Sequence, residues 1–104
     1  MDQNKKPENQ LNIELGAEVA EGTYSNLAII THSHSEFIVD FINMMPGVPK
    51  AQVKSRIILT PQHAKRLMKA LQDNVNKFEA NFGEIPEHDV PAPPFNMVTP
   101  AGEA

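Results

Sequence analysis

The clearest pattern of apolar and polar positions lies in residues 60 to 83, TPQHAKRLMKALQDNVNKFEANFG. Apolar residues recur there every three or four positions, which is the period of one helix face. This apolar stripe consists of Ala64, Leu67, Met68, Leu71, Val75, Phe78 and Phe82. Thr60 suits an N-cap, Pro61 the first helical position, and Gly83 the left-handed position after the last turn. The sequence therefore predicts a helix from Pro61 to Phe82 with a buried stripe.

Three runs before this helix are rich in β-branched and aromatic residues, which favour strands. They are YSNLAIIT from Tyr24, EFIVDFINM from Glu36 and AQVKSRIIL from Ala51, and a weaker fourth run is NIELGAEVA from Asn12. The connections are too short for crossover helices, so neighbouring strands run antiparallel. The predicted fold is α+β, an antiparallel β-meander of three or four strands followed by one long C-terminal helix packed on one sheet face.

Turn positions predict how the strands pair. If Ser33 and His34 form the tip of the first hairpin, Ile30 lies opposite Phe37. If MPGVP centres the next loop, paired residue numbers in the second and third strands sum to about 96. The inner face, expected to meet the helix, then pairs Phe37 with Leu59, Val39 with Ile57 and Phe41 with Ser55, and adds Ala28 and Ile30. The reverse face pairs Ile38 with Ile58, Asp40 with Arg56 and Ile42 with Lys54.

The reverse face of the predicted sheet is too apolar to be left in water. We define this outer face by Leu27, Ile29, Ile38, Asp40, Ile42, Arg56 and Ile58. One helix covers one face only, and monomers rarely expose an apolar patch of this kind. The sequence predicts a homodimer or higher oligomer that shares the outer face between copies or with a protein client, with Asp40 and Arg56 as an ion pair near the interface. The alternative is a monomer whose N-terminal segment folds over the sheet, or whose patch awaits a client.

The length of 104 residues fits one domain. We predict a disordered N-terminal segment over 1–10, one domain over 11–83, and a disordered, acidic tail over 84–104 that holds five of the nine prolines. Phe95, Met97 and Val98 in the tail form either a short docking motif or part of an inert solubilising segment.

The composition excludes several chemistries. The chain has no cysteine, which excludes disulfides, thiolate metal sites and cysteine nucleophiles, and suits a reducing cytoplasm. The first residues lack the apolar stretch of a signal peptide, and no run of about 18 apolar residues occurs. We therefore expect a cytoplasmic protein without a membrane partner.

The charges are strongly segregated along the chain. The net charge of −4 is carried by the tail. Residues 11–49 hold five acids and no base, whereas 50–83 hold seven bases and two acids. This asymmetry favours a protein partner or self-association at least as much as nucleic acid. Nucleic-acid binding would use the basic strand and helix through Lys50, Lys54, Arg56, Lys65, Arg66, Lys69 and Lys77. Because the aromatic residues belong to the core, a solvated helix face is the plainer interpretation.

Histidines gather near one end of the predicted sheet. His32, His34 and His63, together with Glu36, form an alternative metal site of the kind that binds zinc or another borderline divalent ion. Serine and histidine are also ordinary residues at a hairpin tip, and His63 lies in the capping turn of the helix. Solvated turn histidines are therefore the competing interpretation.

Catalytic motifs are not apparent. Asp40 lies between two isoleucines, so it is either a buried acid with a shifted pKa or the cross-strand partner of Arg56. The serines lack a nucleophile motif, and the glycines form no phosphate-binding pattern. The sequence predicts a protein that is not an enzyme and needs no cofactor.

The stretches EGTYSNLAIITHS, EFIVDFINMMPGVPKAQVKSRIILTPQHAKRLMKALQDN and FEANFG resemble a small bacterial family called Domain of Unknown Function 3467. The resemblance spans residues 12–83, and it implies a shared fold but no catalytic activity and no mapped site. The order of an antiparallel sheet and a long C-terminal helix is also similar to that of the SecB-type export chaperones. This second likeness implies an oligomer that holds unfolded clients on apolar grooves, and it transfers no site residues.

Overall fold

A computed structural model of the chain describes residues 10–87. Its elements are α1 (Ala17–Ala20), β1 (Leu27–His32), β2 (Phe37–Asn43), β3 (Gln52–Leu59) and α2 (Pro61–Phe82). The strands form one antiparallel sheet in the order β1-β2-β3. The predicted α+β class, a meander followed by a long C-terminal helix, is confirmed.

The described backbone divides into two compact units, one ending at Leu67 and the other beginning at Met68. Among the described residues, the first unit contains α1, the sheet and the first two turns of α2, and the second contains the rest of α2 and the chain to Glu87. The disorder predicted for 1–10 and 84–104 falls almost entirely outside the described residues. The docking motif at Phe95, Met97 and Val98 also lies outside them.

The segment from Asn12 that could have formed a fourth strand contains the short helix α1 (Ala17–Ala20) instead. Gly16 is extended at φ −70° and ψ 155°, and the Ala20 N–H donates to its carbonyl at 2.9 Å. Alanine and glutamate favour helix over strand, and Glu18 lies in the first turn, where an acid is favourable. A helical turn satisfies its backbone locally, whereas a strand needs a neighbour. Of the two alternatives that the sequence left open, three strands or four, the structure has three.

The first hairpin has a longer tip than predicted. The Ser33 N–H donates to the Glu36 carbonyl at 2.9 Å, and the Ser33 Oγ accepts from the backbone N–H groups of Ser35 and Glu36 at 3.2 and 3.3 Å. This serine-based turn adds two residues to the loop, so the predicted pairing of Ile30 with Phe37 was wrong. The observed pairs include His32 with Phe37, Ile30 with Val39, and Ala28 with Phe41. A shift of two keeps every side chain on its predicted face.

The second hairpin matches the prediction up to a β-bulge. The pairs Phe37–Leu59, Ile38–Ile58, Val39–Ile57, Asp40–Arg56 and Phe41–Ser55 are confirmed. The register then shifts, and Ile42 lies opposite Val53 instead of the predicted Lys54. An extra residue on one strand produces such a shift, and here it places Val53 beside the outer face.

The loop between β2 and β3 turns at Pro46 and Gly47. The Val48 N–H donates to the Met45 carbonyl at 3.2 Å, and Gly47 has a φ of 81°. Proline followed by a residue with positive φ is the pattern of a type II turn. The loop predicted at MPGVP is confirmed.

Both ends of α2 lie where the sequence predicted. The Thr60 Oγ1 accepts from the His63 N–H at 3.2 Å and caps the first turn. Gly83 has a φ of 100°, and its N–H donates to the Glu79 carbonyl at 2.9 Å. Glycine adopts this left-handed conformation without the steric cost of a side chain.

The predicted burial of the apolar stripe is not observed. No residue of α2 is buried, and five stripe residues are between 44% and 75% exposed. Of the described apolar residues, only Ile42 and Leu59 are buried. The sheet has two apolar faces and the helix adds a third apolar surface. If any two of these three apolar surfaces packed against each other, the third would remain in water. A single chain therefore cannot bury all three apolar surfaces.

Candidate functional site

An ion pair joins β2 to β3 on the outer face. The Arg56 Nε donates to the Asp40 Oδ1 at 2.7 Å, and the Nη2 donates to the Oδ2 at 3.0 Å. The Asp40 side chain is 1% exposed, whereas the Arg56 side chain is 50% exposed. The predicted cross-strand pair is confirmed, with the two-point geometry that arginine forms with a carboxylate.

The charge of Asp40 is fixed by this arginine. Hydrogen bonding from Arg56 lowers the pKa of Asp40, burial raises it, and the arginine's charge lowers it further, so that the net pKa lies below its ordinary value of 3.8. A general acid at neutral pH needs a raised pKa instead. The geometry therefore fits a structural ion pair that carries a buried carboxylate.

Around the ion pair, the apolar side chains of the outer face are protected from solvent at its centre and exposed on β3. Ile42 is buried, and Leu27, Ile29 and Ile38 are half-buried. Ile58 is 56% exposed, and Val53 is also exposed. The accessible part of the outer face is thus the apolar side of β3, next to the half-exposed side chain of Arg56.

The inner face shows the same gradient on the other side of the sheet. Leu59 is buried, and Phe37, Val39 and Phe41 are half-buried. Ile30 is 62% exposed, and Ile57 is exposed as well. The central strand is the best protected on both faces because it has neighbours on each side. Both edge strands carry exposed isoleucines.

Polar side chains fasten the start of β1 to the end of β2. The Asn26 amide accepts from the Met44 N–H at 2.7 Å and donates to the Met44 carbonyl at 2.9 Å. The Ser25 Oγ donates to the Ile42 carbonyl at 3.0 Å. These bonds extend the strand pairing beyond the ladder and hold this corner of the sheet. Sequence reasoning missed them because the bonded residues are 17 and 18 positions apart, and no local pattern predicts such partners.

His32, His34 and His63 do not form one ligand set. The His32 ring stacks on Phe37 with centroids 5.4 Å apart, His34 lies in the hairpin tip, and His63 contributes its backbone N–H to the helix cap. Within residues 10–87, no group of three or more histidine, cysteine, aspartate or glutamate side chains is placed to hold a metal ion. The metal hypothesis receives no support from this arrangement.

The basic side chains are spread over exposed positions. Lys50 and Lys54 line a shallow depression of about 250 Å³ beside the β2–β3 loop, together with Asn43, Met45, Val48 and Gln52. The other lysines and arginines of the predicted basic set are exposed on β3 and α2. Nucleic-acid binding through this set stays a prediction.

The fold and surface define a class: a small α+β protein with a three-stranded meander, one long amphipathic helix and open apolar faces. The chain belongs to the family described as "Protein of unknown function (DUF3467)", whose profile matches residues 1–87. The family resemblance noted in the sequence is confirmed. No curated protein and no solved structure matches the chain. Over residues 10–87, no helix combines the length and the apolar content that crossing a bilayer requires.

Proposed function

We propose that this protein is a non-catalytic, protein-binding module that works as a homo-oligomer and holds protein clients in a chaperone-like manner. One observation carries the proposal: among the described residues, Ile42 and Leu59 are the only buried apolar side chains. A chain with so small an interior gains its missing burial by association.

The energetic argument follows from what folding costs. Ordering the backbone costs roughly 1 to 2 kcal/mol per residue. Burial of apolar surface is the main favourable contribution, at about 25 cal/mol per Å². With two buried apolar side chains, a single copy has little of this contribution. Such a chain is expected to fold together with a partner, as obligate oligomers do.

The outer face is the surface that we assign to binding. It offers exposed apolar side chains along β3, bordered by the Arg56 guanidinium. Apolar residues supply non-directional affinity, and a charged rim orients a partner. The assigned residues are Leu27, Ile29, Ile38, Asp40, Ile42, Arg56 and Ile58. Ile58 is the most exposed apolar member, so we expect it to contribute most to contact with a partner.

The client is a polypeptide with exposed apolar side chains. An open isoleucine-rich surface recognises apolar surface in general and reads no particular sequence. The order of sheet and helix, similar to that of the SecB-type chaperones, supports the same role. Within residues 10–87, no cluster of candidate ligands supports the metal alternative in the same way.

The test combines self-association with client protection. Sedimentation of the full chain across a concentration series should show dimers or larger species at micromolar concentration. A thermally aggregating test protein should scatter less light when the chain is present in excess. A strictly monomeric chain that leaves the aggregation unchanged would overturn the proposal.

A further inference from the structure

The apolar stripe of α2 contains a regular seam. Six of its members follow one another at spacings of 4, 3, 4, 3 and 4 residues: Ala64, Met68, Leu71, Val75, Phe78 and Phe82. This alternation is the heptad spacing by which two helices pack along their length in a coiled coil. Four of the six are largely exposed, and Ala64 and Val75 are half-buried. A seam of this kind is built to meet another helix.

We propose that α2 pairs in antiparallel orientation with α2 of a second copy, centred near Asp73. The inference rests on the proposed self-association and names its surface and geometry, but it is independent of the role of the outer face. The occupant of the stripe is thus a second copy of this chain.

Side-chain size favours the antiparallel arrangement. Centred near Asp73, the seam places Ala64 against the partner's Phe82, Met68 against the partner's Phe78, and Leu71 against the partner's Val75. The smallest seam residue then faces one of the largest, so the layers have more even volumes. A parallel pair would place alanine on alanine at one end and phenylalanine on phenylalanine at the other. Uneven layers leave gaps or force overpacking, and both are destabilising.

Charge favours the same orientation. The first half of α2 carries Lys65, Arg66 and Lys69, whereas the second half carries Asp73 and Glu79 with one base, Lys77. Antiparallel pairing brings the basic half beside the acidic half, and parallel pairing aligns three bases with their own copies. Antiparallel helices also oppose their dipoles. Positive and negative surfaces that match in this way set orientation.

One cross-chain pair follows from the register. Lys65 and Glu79 both lie immediately beside the seam, on the same flank, where salt bridges between helices form. In the proposed pair each Lys65 approaches the partner's Glu79. The Glu79 Oε2 accepts from the Ile85 N–H at 2.9 Å, and the carboxylate can accept further hydrogen bonds. Within one chain the two residues are about 21 Å apart along the helix, so any coupling between them acts between copies.

A charge exchange tests the register. In sedimentation at low salt, Lys65→Glu and Glu79→Lys should each weaken dimerisation about three- to tenfold, because each replaces two attractive contacts with repulsive ones. The double variant should bind more tightly than either single variant. Glu79→Lys also loses the bond from the Ile85 N–H. The double variant lacks this bond as well, so the comparison of these two variants isolates the effect of changing Lys65. Lys69→Glu makes the same charge change away from the seam, so it is the matched control and should weaken dimerisation less than Lys65→Glu does. Additive weakening in the double variant would overturn the proposal.

Spin-label distances test the orientation. The full chain has no cysteine, so single cysteines can be introduced at the exposed residues Gln62 and Gln72. In the antiparallel pair the two Gln72→Cys labels lie nearly level, whereas the two Gln62→Cys labels are offset by about 33 Å along the axis. Similar distances at both positions would overturn the antiparallel pair. If the chain dimerises but the spin labels of the two copies show no dipolar coupling at either site, this inference is overturned and the proposed function stands. Monomers at every concentration would overturn both.

Discussion

Asp40 and Arg56 face each other across β2 and β3, joined by two hydrogen bonds of 2.7 and 3.0 Å. The carboxylate is 1% exposed and the arginine side chain is half-exposed. A buried carboxylate next to isoleucines is stable only with such a partner, because an unpaired buried charge is costly. The pair thus fixes the register of β3 on β2 at the centre of the outer face.

Removing the charge of Asp40 should destabilise the fold. We expect Asp40→Asn to lower the free energy of unfolding by about 1 to 3 kcal/mol, less than for a fully buried pair because Arg56 is half in water. Urea unfolding followed by circular dichroism measures this change. Asp73→Asn is the matched control: it breaks the exposed Asp73–Lys77 pair of 3.1 Å and should cost about 0.5 kcal/mol or less. Equal losses in the two variants would contradict a special role for Asp40.

The same ion pair predicts a pH dependence. The pKa of Asp40 in the folded chain lies below its ordinary value of 3.8, so folding favours the ionised form. The stabilisation is therefore complete above pH 3.8 and is lost as the pH falls through the lower, folded-state value. In urea titrations, the difference in stability between the wild type and Asp40→Asn should shrink below pH 3.8. A difference that grows on acidification would contradict this sign.

The hydroxyl of Thr60 should stabilise the chain by capping α2. Thr60→Ala removes the oxygen that accepts from the His63 N–H, and we expect a loss of about 1 kcal/mol. Thr60→Ser keeps the oxygen and should retain most of the stability. Urea unfolding at one protein concentration compares the three proteins. If the serine variant is as unstable as the alanine variant, the cap is not the cause.

The outer face should bind clients more strongly than the inner face. Ile58 and Ile30 are edge-strand isoleucines of similar exposure, 56% and 62%, on opposite faces. Ile58→Glu should abolish most protection of an aggregating client, because a charge would be desolvated in the contact. Ile30→Glu, the matched control, should keep it. Light scattering gives the readout, and equal loss in both variants would contradict the assignment of the outer face.

Local signals in the sequence were sufficient to predict α2 and most of the second hairpin. Thr60, Pro61 and Gly83 determine the helix ends through contacts within one turn, and the PG turn sets the pairing of Asp40 with Arg56. The first hairpin was shifted by two because the Ser33 hydroxyl builds a longer turn than a minimal tip. The bulge opposite Ile42 and the helical turn at Ala17 depend on small energy differences between local conformations, which apolar patterning does not resolve.

Only part of the candidate site could be predicted from the sequence. Pattern alone located the outer face and its ion pair, because alternation along a strand assigns each side chain to a face. It did not predict that the stripe of α2 stays exposed in the single chain. Periodicity shows that a surface needs a partner, but it does not distinguish a partner within the chain from one on another copy.

The central claim is that the core is completed by association. The measurement that tests it most directly is the thermal unfolding midpoint of the full chain, followed by circular dichroism over a hundredfold range of protein concentration. If folding is coupled to association, the midpoint rises with concentration, because mass action favours the assembled state. A midpoint that stays constant for a chain sedimenting as a monomer throughout would contradict the account.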